Sequence, residues 1–396
     1  MQGTADLGDV VEKFGFDIDA KLLLTHLTRQ GRKRCKVVHM KAQRIADLYS
    51  DYLLASFGAT TATGLSELLE GEISHDQVTR YLASPQKTAS DLWRTVKSFV
   101  REVQSEAGVL IMDDSIEEKP YTDENAIVCW HSDHSKDRLL KGLNFLTALY
   151  SSQGVRVPVG FHLVAKTETY VDPKTRKEKR RRPVSKNEVC RELINQAVTN
   201  RIPFRFVLFA VWFASAENLV FIKQQQHRDF IGPLKTNRKV ALSRAEKQQG
   251  RYTRVDTLEL EAQATREVYL EGVDFPLVLG KQVFTNEDGS VGIRSLVSSD
   301  TTLSFDDLTT TYHKRWHVEC YHKSLKQNVS LAKSPTQTVT TQTNHFFAAL
   351  CGFIKLEQLR GQTKLNHFAL KSKLYLNALH SAFSTLRQLM PLPNPA

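Results

Sequence analysis

The residues best suited to act together lie in one short segment, Tyr312-His-Lys-Arg315-Trp-His-Val-Glu319-Cys-Tyr-His-Lys-Ser-Leu-Lys326. Counted from Tyr312, the residues Arg315, Glu319 and Lys326 fall at offsets 3, 7 and 14. At 100° per residue all four lie within an arc of about 60° on one helix face. That stripe would present a phenol, a guanidinium, a carboxylate and an ammonium group. A carboxylate can hold a metal ion while the cations beside it bind a negatively charged backbone. The same face also suits plain solvation, with Arg315 and Glu319 as an i,i+4 pair worth roughly 0.2–0.5 kcal/mol. A second candidate lies upstream, where the apolar run Gly108-Val-Leu-Ile-Met112 ends in Asp113-Asp114-Ser115. This reads as a buried strand with carboxylates at its carboxyl end. Phosphodiester cleavage by two metal ions gathers carboxylates from distant parts of a fold, holding the ions roughly 3.5–4 Å apart. A strand-end aspartate and a helical glutamate far downstream are one way to build that site.

The elements that must position these groups follow from the pattern around them. Residues 1–105 read as mostly helical. Segments 64–70 and 75–82, joined by a short turn, have helix-turn-helix spacing, and Ser74 with Gln77 fits a capping box. Any compact helical hairpin has the same pattern. A basic cluster (Arg29, Arg32, Lys33, Arg34, Lys36, Lys41, Arg44) tilts this part towards phosphate contacts. From 108 onward the texture is β: runs at 143–150 and 155–165 complete a three-stranded meander with the first strand. The charge run 172–182 reads as a solvated loop, 185–200 as a helix, 204–210 and 230–235 as strands. Residues 236–300 alternate and are rich in turns, and 305–328, 336–360 and 366–388 read as helices.

Composition bounds the class. The chain has 396 residues, 41% apolar and 24% charged, as expected of a globular protein of two or three domains. No apolar run approaches the ~20 residues of a membrane span, and the amino terminus lacks a secretory pattern. Five scattered cysteines without a CxxC pair argue against a disulfide framework or a zinc site and suit a reducing cytoplasm. A net charge of +11 attracts polyanions, although charge alone fits a merely soluble basic protein equally well.

The spacing Y-(2)-R-(3)-E-(6)-K, accompanied by RW and HK dipeptides, resembles the YREK signature of the insertion sequence 4 family of DDE transposases. Asp-Asp-Ser at 113–115 and Phe-Val-Leu-Phe-x-x-Trp-Phe-Ala-Ser at 206–215 agree with it. The resemblance implies an α/β protein with an RNase H-like core and a β-rich insertion before the glutamate-bearing helix. It implies a bacterial cut-and-paste transposase: metal-dependent hydrolysis at terminal inverted repeats, then strand transfer into target DNA. The implied cofactors are Mg²⁺ or Mn²⁺, two ions per active site, and the implied assembly is a homodimer on paired double-stranded ends. Carried over, Asp114 is the first catalytic carboxylate and metal ligand, with Asp113 as fallback because strand alternation sends the two side chains apart. Glu319 is the third carboxylate and also a ligand. Arg315 and Lys326 bind phosphates, Tyr312 contacts the same strand, and Lys323 joins the DNA-binding set.

The second aspartate is where this chain departs. The resemblance puts it at the end of strand 206–209, and the residue there is Ala210. Asp172 and Asp229 are the nearest aspartates, one in a basic loop and one ahead of a different strand. The chain is therefore expected to be catalytically dead. It is either an inactive derivative or carries a substitution made to trap a DNA complex, and the intact surroundings favour the substitution. The expected organisation is a helical DNA-binding domain (1–105), the first part of the core (106–235), the β-rich insertion (236–303), the catalytic helix (304–330) and a helical carboxyl-terminal region (331–396). Two other readings fit the same residues, a non-catalytic end-binding repressor and an RNase H-like nuclease without strand transfer.

Overall fold

The computed structural model describes residues 42–133, 138–261, 263–285 and 288–390. The basic cluster at 29–41 and Cys35 lie outside the described residues; Arg44 lies within them and pairs with Glu72. Four helices come first: α1 (42–55), α2 (Ala62–Leu68), α3 (His75–Leu82) and α4 (Ala89–Val103). The start of α3 is fixed by Ser74 and Gln77, which satisfy each other's backbone N–H groups, and Thr88 with Asp91 does the same for α4.

β1 (Val109–Glu118) then enters the centre of the molecule, followed by β2 (Val128–Asp133), β3 (Arg138–Ser152) and β4 (Val155–Leu163). β1 pairs antiparallel with β3, and β3 pairs antiparallel with β4. β7 (Phe206–Phe209) returns parallel to β1, and β8 (Asp229–Pro233) parallel to β7. The central order is therefore β4-β3-β1-β7-β8. Parallel strands in the middle of a sheet are covered on both faces, so they read as continuous apolar runs rather than alternating ones. Val-Leu-Ile-Met of β1 and Phe-Val-Leu-Phe of β7 are buried throughout. Gly142 on β3 makes the close pairing with β1 possible, because a Cβ there would sit 2.2 Å from the Glu117 carbonyl oxygen.

Beyond β8 the sheet continues through β13 (Val291–Ser298), β12 (Leu277–Thr285), β11 (Thr265–Leu270), β9 (Lys239–Ala241) and β10 (Thr253–Arg254). α5 (Lys186–Thr199) packs on β3 and β4. Two short helices, α6 (Ala216–Val220) and α7 (Arg244–Gln248), follow β7 and β9. After β13 come α8 (Phe305–His313), α9 (Trp316–Asn328), α10 (Val339–Thr363) and α11 (His367–Leu389). α10 is buried along most of its length, and the run Phe346–Leu350 is core of this chain, not surface left for a partner. None of the described helices is long and apolar enough to cross a membrane, and Cys129, Cys190, Cys320 and Cys351 are free thiols.

Two expectations change. The 172–182 segment is not simply a loop: β5 (Glu168–Val171) and β6 (Glu178–Arg181) pair as an exposed hairpin, with Lys179–Asp172 and Arg181–Glu168 ion pairs across it. Opposite charges facing across strands offset the repulsion that the run suggests. Residues 305–328 form two helices, not one. At the junction the N–H groups of Lys314, Arg315, His317 and Val318 bond three residues back, to Thr311, Tyr312, Lys314 and Arg315. Such tightened turns advance about 120° per residue, so the 100° projection no longer holds across them.

Candidate active site

The site forms where two parallel strands end. Met112 of β1 pairs with Phe209 of β7, so Asp113 and Ala210 emerge side by side at the carboxyl ends. Both line a cleft of roughly 870 Å³ with Asp114, Arg315, Glu319, His322 and Lys326. Open α/β sheets bind ligands at this end of their strands.

The two neighbouring aspartates part company here. Asp113 is only 8% exposed. Its Oδ1 accepts the Asp114 backbone N–H at 2.9 Å, and its Oδ2 accepts the Arg315 guanidinium at 2.7 Å. Burial pushes its carboxyl up to about 7; Arg315 opposes the rise, while Asp114 and Glu319 add to it. Asp114 lines the same cleft but pairs with Lys186 at the start of α5 and is not part of the Asp113–Glu319–His322 group. The structure therefore brings Asp113, the fallback, to Glu319, and not Asp114. Nothing in the local sequence separates two adjacent aspartates. The partner each one meets is set by elements distant in the chain.

α9 packs against β1 and supplies the other side. Arg315 bridges the two carboxylates, with its second nitrogen 3.1 Å from Glu319 Oε1. Lys326 donates to the Ile116 carbonyl at 2.6 Å, holding its ammonium beside β1. Tyr312 is buried, its hydroxyl donates to the Phe209 carbonyl at 3.4 Å, and it braces the end of β7 without lining the cleft. Lys323 lies away from the cleft, over the Phe368 ring of α11. A residue the sequence reading passed over completes the cluster. Ligand atoms of Asp113, Glu319 and His322 all lie within 4.8 Å of one another. His322 is 94% buried, and its Nε2 has no hydrogen-bond partner. The signal was present as Glu319-x-x-His322, a helical i,i+3 pair facing one way. Two carboxylates and an imidazole at this separation are a donor set that fits a divalent cation.

Ala210 packs partly against the core and precedes a 3-10 turn, Val211–Phe213, without a side-chain cap. The position beside Asp113 therefore carries a methyl group.

The family model of the DDE superfamily endonucleases matches residues 24–265, and the chain belongs to that family. The match includes Asp113 and Ala210 and ends before Glu319. Members of the superfamily typically use divalent metals, and the Asp113–Glu319–His322 cluster is compatible with one. No curated protein matches the sequence. Among solved structures, the chain is similar to a Drosophila P element transposase strand transfer complex, at 12% identity and a TM-score of 0.25. The similarity covers 50% of this chain and 41% of that one, and an overlap this low carries no argument.

Proposed function

We propose that this chain is a transposase of the insertion sequence 4 type with an RNase H-like core, acting on double-stranded transposon ends as a homodimer. In this reading β4-β3-β1-β7-β8 is the core, β9–β13 the insertion, and the helices before β1 the DNA-reading part. We further propose that in its present form it binds ends but cleaves them negligibly. The observation carrying this reading is Ala210 at the carboxyl end of β7, beside Asp113 and within one cleft with Arg315 and Glu319.

Asp113, not Asp114, is the first ligand of this proposal, and Glu319 the partner ligand. Bound divalent cations would activate the attacking oxygen and stabilise the leaving oxygen of a phosphodiester. Arg315 neutralises part of the carboxylate charge, and its planar fork can turn to a phosphate once cations take over that task. Lys326 keeps a second positive charge on the cleft wall. With Ala210 the carboxylate set is one short, so cation load and the position of the attacking water both suffer.

Ala210→Asp should restore Mg²⁺-dependent cleavage of DNA carrying the repeats that flank the gene, and a further Glu319→Ala should abolish it. Specific binding to those ends should be present in all three proteins. Robust cleavage by the parent chain would mean that the second carboxylate comes from elsewhere. Inertness of Ala210→Asp with correct ends and metal would favour an end-binding repressor.

A further inference from the structure

We infer that His322 is a direct ligand to the cation at Asp113 and Glu319, and that this makes the site selective for borderline divalent ions such as Mn²⁺, Co²⁺ or Zn²⁺ over Mg²⁺. The inference rests on the reading of Asp113 and Glu319 as a cation site, and adds a nitrogen donor to it.

Three observations carry it. First, a ligand atom of His322 lies within 4.8 Å of those of both carboxylates, a spacing that one ion can bridge with small side-chain shifts. Second, Nε2 is buried with no hydrogen-bond partner. A buried polar atom left unpaired costs about 1–3 kcal/mol, a cost that coordination would remove. Third, the ring is already held in place, edge-on to Phe145 at 5.5 Å and against Tyr321 at 5.2 Å between centroids. Glutamate and histidine spaced i,i+3 on one helix is a metal-binding arrangement in helical carboxylate proteins.

Charge explains why the nitrogen matters in this chain. Arg315 offsets one of the two carboxylate charges, and Ala210 adds none. Two carboxylates with Arg315 beside them leave little net negative charge for Mg²⁺, which gives up its water reluctantly and is usually held by carboxylates together with substrate phosphates. Imidazole shifts the preference towards ions that accept nitrogen.

The test uses the full chain loaded with Mn²⁺ and labelled with ¹⁵N-histidine, read by pulsed electron paramagnetic resonance, together with calorimetric titration of Co²⁺ and Mg²⁺. His322→Phe keeps the ring packing and His322→Gln keeps a polar group, so one variant survives if the other misfolds. The parent should show histidine nitrogen coupled to the ion, lost in both variants. Outer-shell partners already cost 10–100-fold in affinity, so loss of a direct ligand should weaken Co²⁺ binding by roughly tenfold or more. Mg²⁺ binding should change far less. If Asp113→Asn abolishes binding while His322→Phe leaves coupling and Co²⁺ affinity intact, His322 is a packing residue, and the carboxylate site stands without it. If binding ignores Asp113→Asn as well as His322→Phe, this inference and the cation-site reading fall together.

Discussion

The strands β4-β3-β1-β7-β8 and the five beyond them belong to one sheet yet are held in different ways. In the inner half burial is nearly complete: β3 is buried from Gly142 to Ser152, and all of β7 is buried. In the outer half β12 and β13 are buried only where they lie near β8, and their far ends are exposed. The inner strands are constrained from every side, so a polar group such as Asp113 is held there in one geometry. The outer strands are anchored at one end and project an arm. One sheet thus combines a rigid floor at the cleft with a limb whose residues the fold does not consume.

The inner half should therefore tolerate least. Gly142→Ala would drive a Cβ into the Glu117 carbonyl, a backbone atom that no rotamer change can move. Overpacking usually costs 1–3 kcal/mol, and a collision with backbone should reach about 3 kcal/mol. Urea unfolding of parent and variant measures this directly. A loss below about 1 kcal/mol would mean that β1 and β3 slide past each other easily, and the contrast between the halves would weaken.

The central strands were legible in the sequence because burial on both faces leaves an unbroken apolar run, as in 109–112 and 206–209. The Ser74–Gln77 box was legible because both partners are local. β2 was not, since Cys129-Trp-His-Ser-Asp133 mixes polar and aromatic residues on a strand paired along one edge to β3. The break at Lys314–Arg315 left no mark either, because neither glycine nor proline stands there. At the site, Glu319 and Arg315 were readable from helical spacing. The choice between Asp113 and Asp114 was not, because it depends on distant partners: Arg315 and Glu319, brought by the α8–α9 segment, meet Asp113, and Lys186 of α5 meets Asp114. His322 was hidden by its ordinary look as one of several helical histidines.

A second test of the rigid floor concerns Glu117, which is buried on β1 with its Oε2 unpaired. Burial raises its carboxyl to about 7 from 4.5, against the pull of Lys326 and Lys119, with Glu118 adding to the rise. A folded-state value above the unfolded one means that the protonated form is favoured by folding. This contribution is complete below pH 4.5 and is lost as the pH rises to about 7. In Glu117→Gln that loss disappears. The stability of the variant relative to the parent should rise by on the order of 3 kcal/mol between pH 4.5 and 7.5. Denaturant unfolding at both pH values gives the difference, and the constant cost of the amide cancels. A flat difference would show that water reaches Glu117 and that the floor is softer than its burial implies.

The smallest effect should come from the tip of the arm. Val283 and Ile293 face each other across β12 and β13, at 60% and 61% exposure. Val291 and Phe284 are exposed beside them. Side chains this open contribute little burial, so the residue type matters mainly through its fit to a pleated strand. Ile293→Thr keeps the β-branch and removes the apolar surface. Its effect on unfolding should stay within about 0.5 kcal/mol. Asp113-dependent Mn²⁺ binding should not move, because the tip and the cleft share only the backbone of the sheet. A loss above about 1 kcal/mol, growing with protein concentration, would mean that the tip is covered by a second copy in solution. The arm would then be packed as fully as the floor, and the sheet would have no free end.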